Sequence, residues 1–260
     1  MKSHFLRNYH IIYGTHRMTN GLQYGLKYGI IDTATGYNNA KLIKQTIHET
    51  DICPLIMTKF NPNDFEKSIE NATIDHVAEL GHIPSIVLLH SPFKTNEENL
   101  NAMCKLKVLF PSALVGISNF DLVQTAYLVD NNFIPDVAQL EYNPLFQPKK
   151  LLAYCQEKEI KIMAYRPFGK GIILKNYTID NLATKLAIEP NHLILKWLQY
   201  KHIMPIVSSN NVENINSNMN FNDITLDTET IKILDNMDLG IPGSTCMARF
   251  SKVGLNDPIF

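Results

Sequence analysis

The chain has 260 residues, 45% of them hydrophobic, with a formal net charge of −1 and a sequence pI of about 6.7. That length is close to the ~250 residues of one (β/α)8 barrel and allows a large core, while the near-neutral balance offers no basic field to a phosphate backbone and excludes nucleic acid as an expected partner. No apolar run approaches membrane-spanning length, and the N-terminal stretch Met1-Lys-Ser-His-Phe-Leu-Arg-Asn8 is broken by polar residues, so the expectation is a soluble cytoplasmic protein without a membrane partner.

His10-Ile-Ile-Tyr-Gly-Thr15 is a short apolar run closed by a glycine, suited to a first strand, and residues 20–28 leave room for only a short helix. Residues 29–33 form the second strand. The next segment, 38–47, has an asparagine cap and Leu42, Ile43 and Ile47 at helical spacing. The third strand, 55–59, leads through the turn-like Asn61-Pro-Asn-Asp64 into a helix over 65–80 that Gly81 stops. The fourth strand is 85–90, followed by a helix over 96–110 with the stripe Leu100, Met103, Leu106 and Leu109.

Strand five is 114–118, with a helix over 121–129. Strand six is 137–141, with a helix over 149–159. Strand seven is 160–165, then a loop 166–171 and paired helical patterns over 178–186 and 191–200. Strand eight is 202–207, with helices over 212–219 and 228–239 beyond it. About eight alternating units imply an α/β fold of the (β/α)8 TIM barrel type, one domain over 1–260. A doubly wound sheet would want a Gly-x-Gly-x-x-Gly turn after its first strand, and none is present. The tail, about 240–260, has little periodicity and is expected to fold over the barrel mouth.

Three apolar runs end abruptly in chemically able side chains: Gly29-Ile-Ile-Asp-Thr-Ala-Thr-Gly-Tyr37, Pro54-Leu-Ile-Met-Thr-Lys59 and Ser85-Ile-Val-Leu-Leu-His90. In a parallel barrel the loops after the strands emerge on one face, so Asp32, Tyr37, Lys59 and His90 meet on one rim. A tyrosine is a poor proton donor at neutral pH, with an ordinary pKa near ~10, but a neighbouring ammonium stabilises the phenolate and lowers that value. Lys59 does this to Tyr37, Asp32 holds Lys59 charged, and His90 steers a carbonyl oxygen. Such a set protonates an oxygen as negative charge grows on it. A hydride from a nicotinamide supplies the remaining driving force, and no metal is required. Taken singly, the same residues read as a surface tyrosine, a structural ion pair and a core histidine; their convergence carries the inference.

Asp32-Thr-Ala-Thr-Gly-Tyr37, Lys59 and His90-Ser-Pro92 resemble, in order and spacing, the catalytic tetrad motifs of the aldo-keto reductase superfamily. The resemblance spans nearly the whole chain. It implies that Ser118 and Asn119 in Val115-Gly-Ile-Ser-Asn-Phe120, and Gln139, bind a nicotinamide carboxamide. It further implies that Tyr165 in Ala164-Tyr-Arg-Pro-Phe-Gly169 stacks on the nicotinamide ring, and that the loop with Arg166, Pro167, Gly169 and Lys170 crosses the pyrophosphate. Arg166 and Lys170 read equally as solvated loop charges. The resemblance implies a carbonyl reductase using NADPH or NADH on a small-molecule aldehyde or ketone. Cys246, Met247, Arg249 and Phe250 are the tail residues that would line a substrate pocket or simply pack.

Three departures from the family pattern stand out. Ser208 stands where a lysine belongs, Asn214 where an arginine belongs and Ser217 where a glutamate belongs, so the cations that select a phosphorylated ribose are missing, although Ser209 and Asn218 remain as hydrogen-bonding groups. Charge-assisted phosphate contacts are each worth about 1.5–3 kcal/mol, so a relaxed or NADH-tolerant site is expected. Ala40 replaces a frequent glutamate, which removes a local support at the start of the helix after Tyr37, and Ser91 replaces a frequent tryptophan, which makes the pocket wall there smaller and more polar. The same losses leave open a non-catalytic relative that senses a nucleotide or binds a partner. A third reading, an unrelated barrel lyase or isomerase, would draw only on Gly169 and Gly171 as phosphate-binding glycines. Cys53, Cys104, Cys155 and Cys246 are scattered without zinc spacing and read as reduced, inert fillers.

Overall fold

The computed structural model describes Leu6 and residues 10–221, 223 and 225–245. Eight strands, β1 (Ile12–Gly14), β2 (Ile30–Asp32), β3 (Leu55–Phe60), β4 (Ile86–Leu89), β5 (Leu114–Ser118), β6 (Val137–Glu141), β7 (Lys161–Tyr165) and β8 (Ile203–Val207), close into a barrel in sequence order. Every neighbouring pair is parallel, and the ring shuts where Ile12 and Tyr13 of β1 meet Ile206 and Val207 of β8. The helices are α1 (Leu22–Gly25), α2 (Ala40–Thr50), α3 (Pro62–Lys67), α4 (Ile69–Leu80), α5 (Asn96–Leu109), α6 (Leu122–Asp130), α7 (Lys149–Glu157), α8 (Tyr177–Lys185), α9 (Pro190–Tyr200), α10 (Val212–Met219) and α11 (Thr228–Asp235). Among the described residues no helix is long and apolar enough to cross a membrane.

The period of two along a strand sorts each run into two faces. Ile12, Ile30, Met57, Ile86, Leu88, Leu114, Val137, Met163 and Ile206 pack on one another as a single buried cluster, which fills the barrel. The opposite faces carry Tyr13, Ile31 and Ile56, and further round Val87, Leu89, Val115, Ile117, Leu140 and Ile162, into the layer shared with the helices. Gly116 is inward-facing and has to be glycine: a Cβ there would sit 2.2 Å from the Val137 carbonyl oxygen. Continuing the inward parity to the C-terminal strand ends reaches Asp32, Lys59, His90, Ser118, Gln139, Tyr165 and Ser208. The polar strand ends are therefore the top of the barrel filling, where apolar packing gives way to chemistry.

The expected helix over 65–80 is two helices, broken at Ser68, whose backbone is extended and whose hydroxyl accepts from the Asn71 amide. Asn61-Pro-Asn-Asp64 opens α3 instead of forming a loop: proline sits in its first turn, and Asn61 and Asp64 make a reciprocal capping box. In α2, Ile43 and Ile47 are buried but Leu42 is 38% exposed. Asn39 precedes that helix without capping it, because its amide donates to Thr15 and its carbonyl accepts from Thr33. Helix α11 ends at Asp235, four residues short of the expected 239. Beyond it the chain is drawn onto the β6–α7 loop, with the Leu239 amide donating to the Leu145 carbonyl and the Asp238 carboxylate accepting from the Gln147 amide. Of the tail, residues 240–245 belong to the described part and 246–260, with Cys246, Met247, Arg249 and Phe250, lie outside it. Cys155 is core, and burial pushes its thiol up to about 12, whereas Cys53 and Cys104 are exposed and fill nothing.

Candidate active site

At the inner top of β2 and β3, Lys59 Nζ lies 2.5 Å from Asp32 Oδ1, both side chains almost wholly buried. An isolated buried pair is costly unless its remaining hydrogen-bonding groups are satisfied. Here the ammonium also donates to the Thr33 carbonyl at 2.9 Å and to Tyr37 Oη at 3.4 Å. The nitrogen is 5.0 Å from the centroid of the Tyr37 ring. The Asp32, Lys59 and Tyr37 of the sequence reading therefore form one chain, ending at a half-buried phenol.

Tyr37 closes a 3-10 turn, Thr35–Tyr37, that the barrel holds from below. Thr35 Oγ1 donates to Asp64 Oδ2 at 2.8 Å, the same oxygen that accepts from the Asn61 amide at 2.8 Å, and Asn61 Nδ2 donates back to Thr35 at 3.2 Å. The cap of α3 thus doubles as the clamp on the tyrosine turn. Asp64→Ala is expected to cost about 1 kcal/mol, the usual size of a lost cap, and to lower turnover as well. Thermal unfolding beside steady-state rates checks this; a stability loss with unchanged turnover would make Asp64 a cap alone.

Two imidazoles flank the phenol. The His90 ring meets Tyr37 edge-on at 5.9 Å between centroids, and His16 lies at 4.8 Å, tilted. The His90 amide donates to the Phe60 carbonyl at 2.8 Å, which ties that strand end to β3. His16 was not singled out from sequence, although it follows β1 as His90 follows β4. The strand-end rule, applied to the first strand, would have found it.

Across the mouth, Asn119 takes a left-handed backbone at φ 63. Its Nδ2 donates to the His90 carbonyl at 2.8 Å and to Ser118 Oγ at 3.0 Å, while Oδ1 accepts from Tyr165 Oη at 2.6 Å. Ser118, Asn119, His90 and Tyr165 are thereby joined. Gln139 Nε2 donates to Asp32 Oδ1 at 3.0 Å. Arg166 (φ 53) and Lys170 (φ 58) are also left-handed, as is buried Gly169 (φ 52), so the loop through Pro167 folds tightly after β7. A Cβ at Gly171 would meet nothing within 4 Å, so the loop borders open space. Arg166 Nη1 donates to the Thr245 carbonyl and hydroxyl, both at 3.1 Å. Buried Glu141, at the end of β6, accepts from Ser244 Oγ at 2.6 Å and from the Thr245 amide and hydroxyl. These contacts bring the start of the tail to the β6 and β7 strand ends, and sequence reading missed Glu141.

The expected ribose-phosphate stretch lies after β8. Ser208 and Asn214 are exposed, and Ser209 is half-buried with Oγ accepting from the Asn211 amide. Asn211 Oδ1 caps α10, accepting from the Glu213 and Asn214 amides at 2.7 and 3.2 Å. Asn218 is buried and accepts from Asn191 Nδ2 at 2.9 Å, so it serves helix packing. Asn210 reaches back to the loop after β1, accepting from the Thr19 and Asn20 amides and donating to the Arg17 carbonyl. Exposed Arg17, another residue the sequence reading passed over, therefore begins beside this stretch. Among the described residues no three His, Cys, Asp or Glu side chains gather as a metal site.

A family model described as the aldo/keto reductase family matches residues 16–239. The chain is 29% identical to the 9,11-endoperoxide prostaglandin H2 reductase of Trypanosoma cruzi over 233 residues, which is 84% of this chain and 82% of that protein. An aldo-keto reductase from a Medee basin deep-sea metagenome library superposes with a TM-score of 0.80 at 27% identity, covering 89% of this chain and 91% of that one. The Bombyx mori aldo-keto reductase solved in complex with NADP superposes with a TM-score of 0.76 at 23% identity, covering 88% of each chain, and shares the fold.

Proposed function

The chain belongs to the aldo/keto reductase family, and on that premise we propose that it reduces an aldehyde or ketone to an alcohol, with Tyr37 as proton donor and a nicotinamide dinucleotide as reductant. The observation that carries the proposal is the buried Asp32–Lys59 pair at 2.5 Å, whose ammonium also reaches the phenol oxygen of Tyr37. A bound reduced nicotinamide supplies the hydride that no side chain can.

The chain's own residues do the rest. Tyr37 gives its Oη proton to the carbonyl oxygen as charge builds there, and the adjacent ammonium of Lys59 stabilises the phenolate left behind. Asp32 keeps Lys59 charged and aimed. His90, edge-on to Tyr37, orients the carbonyl, and His16 packs against the same ring. Ser118, Asn119, Gln139 and Tyr165 would hold the nicotinamide end, and Arg166, Pro167, Gly169 and Lys170 the pyrophosphate. The structure fits such a group: Tyr165 is half-buried and fixed by Asn119, and the loop beside it is cationic and borders open space. Ser208, Ser209 and Asn214 would meet the ribose end, with Asn218 behind them in the packing.

NADP is bound by the Bombyx mori relative, and NADPH is the first cofactor to test. With uncharged Ser208 and Asn214 at the ribose end, paired titrations are expected to show a less than ~10-fold preference for NADPH over NADH, one lost charge-assisted contact being worth about that ratio. A larger preference would point to another cation, with Arg17 the first to replace. The proposal itself is tested by following consumption of each cofactor with a reactive aromatic aldehyde. If neither is consumed over a broad aldehyde panel, the nucleotide-sensing reading replaces it.

A further inference from the structure

Gln139 is inward-facing on β6 and 4% exposed. Its Nε2 lies 3.0 Å from Asp32 Oδ1, the very oxygen that Lys59 Nζ meets at 2.5 Å, and 3.8 Å from Met57 Sδ in the barrel filling. A carboxylate offers only acceptors, and a glutamine amide donates only from nitrogen. The contact therefore dictates the amide's orientation: nitrogen on Asp32, oxygen turned away. A neutral donor suits this place, because it satisfies a lone pair of a buried carboxylate without adding charge to the Asp32–Lys59 pair.

We propose that Gln139 is a positioning residue for proton transfer: by donating to Asp32 Oδ1 it sets the rotation of that carboxylate, and through it the placement of the Lys59 ammonium under Tyr37. The inference rests on the reading of Tyr37 as proton donor and adds to it a fourth member of the chain, Gln139–Asp32–Lys59–Tyr37. It separates the two ends of one side chain. Nε2 serves the proton donor, and Oε1 is the atom left for a cofactor amide. A glutamine that touched only cofactor would not need its nitrogen on Asp32, and one that merely packed on Met57 would not need an amide.

Gln139→Glu tests this, since it keeps an oxygen on the outer side and opposes a second carboxylate to Asp32. The added negative charge disfavours the Tyr37 phenolate, so the alkaline limb of the turnover profile moves to higher pH, and turnover at saturating NADPH falls about 10–100-fold, the range for a lost hydrogen bond to a charged group. NADPH affinity, read by fluorescence titration, changes less than turnover does, because an outer oxygen remains for the cofactor amide. The opposite split, weaker NADPH binding with unchanged turnover and unchanged pH profile, makes Gln139 a cofactor contact only and overturns the proposal.

Gln139→Met, which removes the donor without adding charge, covers the case in which the glutamate variant does not fold: lowered turnover at saturating cofactor supports the proposal, and wild-type turnover ends it. Tyrosinate absorbance of the cofactor-free protein, taken as the difference from the matching Tyr37→Phe variant, gives a readout that needs no turnover. An upward shift in Gln139→Met, which adds no charge of its own, supports the inference, and an unmoved titration overturns it. Absence of carbonyl reduction by the wild type would instead count against the proposed function, and this titration would still decide the role of Gln139.

Discussion

Tyr37→Phe is expected to fold as the parent does, to bind NADPH as tightly, and to reduce carbonyls ~10²–10⁴-fold more slowly, the usual worth of a placed acid. The fold should survive because the ring stays. Its packing against His16 and His90 and its position over Lys59 are ring contacts, and the turn is held by Thr35, Asn61 and Asp64, none of which touches Oη in that clamp. Only the oxygen 3.4 Å from Lys59 Nζ is lost. The decisive comparison is turnover at saturating cofactor beside cofactor affinity. A phenylalanine variant with near-parental turnover would move the proton donor elsewhere, with His90 the next group to replace.

Lys59→Met removes both the ammonium proposed to assist Tyr37 and the partner of a buried charge. Asp32 is 4% exposed and would be left unpaired apart from the Gln139 amide. Losing one partner of a buried pair typically costs 3–5 kcal/mol, so about that loss is expected in unfolding free energy, together with loss of activity. The pH dependence has a definite sign. An unpaired buried carboxylate holds its proton more tightly in the folded than in the unfolded state, so the folded variant binds more protons and gains stability as pH falls. Asp32→Asn combined with Lys59→Met should restore most of the stability and none of the activity. A double variant as unstable as the single one would mean that the lysine stem, not its charge, supports the barrel.

These expectations rest on residues whose legibility in sequence differed. Strand positions came through well, and the bounds of β5, β6 and α10 match the expected 114–118, 137–141 and 212–219. The meeting of the polar strand ends came through too, because a buried run that stops at Asp32, Lys59 or His90 shows the end of the apolar filling in the local pattern. Helix interruptions were less readable. The break at Ser68 falls inside a segment with continuous helical composition, and it follows from a hydroxyl bonding the backbone three residues on, one of two local options available to serine. Leu42 shares the spacing of Ile43 and Ile47 yet faces outward, since spacing alone does not say how wide the covered stripe will be.

What the chain determined by itself was the alternation of strand and helix, the inward parity of each strand, and the order in which Asp32, Tyr37, Lys59 and His90 reach one rim. Each of these depends on neighbours within a few residues, through periodicity and turn chemistry. Tertiary structure alone decided which side chains answer one another. Gln139 meets Asp32 across 107 residues of sequence, Glu141 takes Ser244 and Thr245, Asn39 turns from its helix to Thr15 and Thr33, and His16 stands against Tyr37. Those pairings depend on how far each strand is staggered when the sheet closes on itself. Stagger is a property of the whole ring, set by the packing of eight strands at once, and no local stretch of sequence contains it.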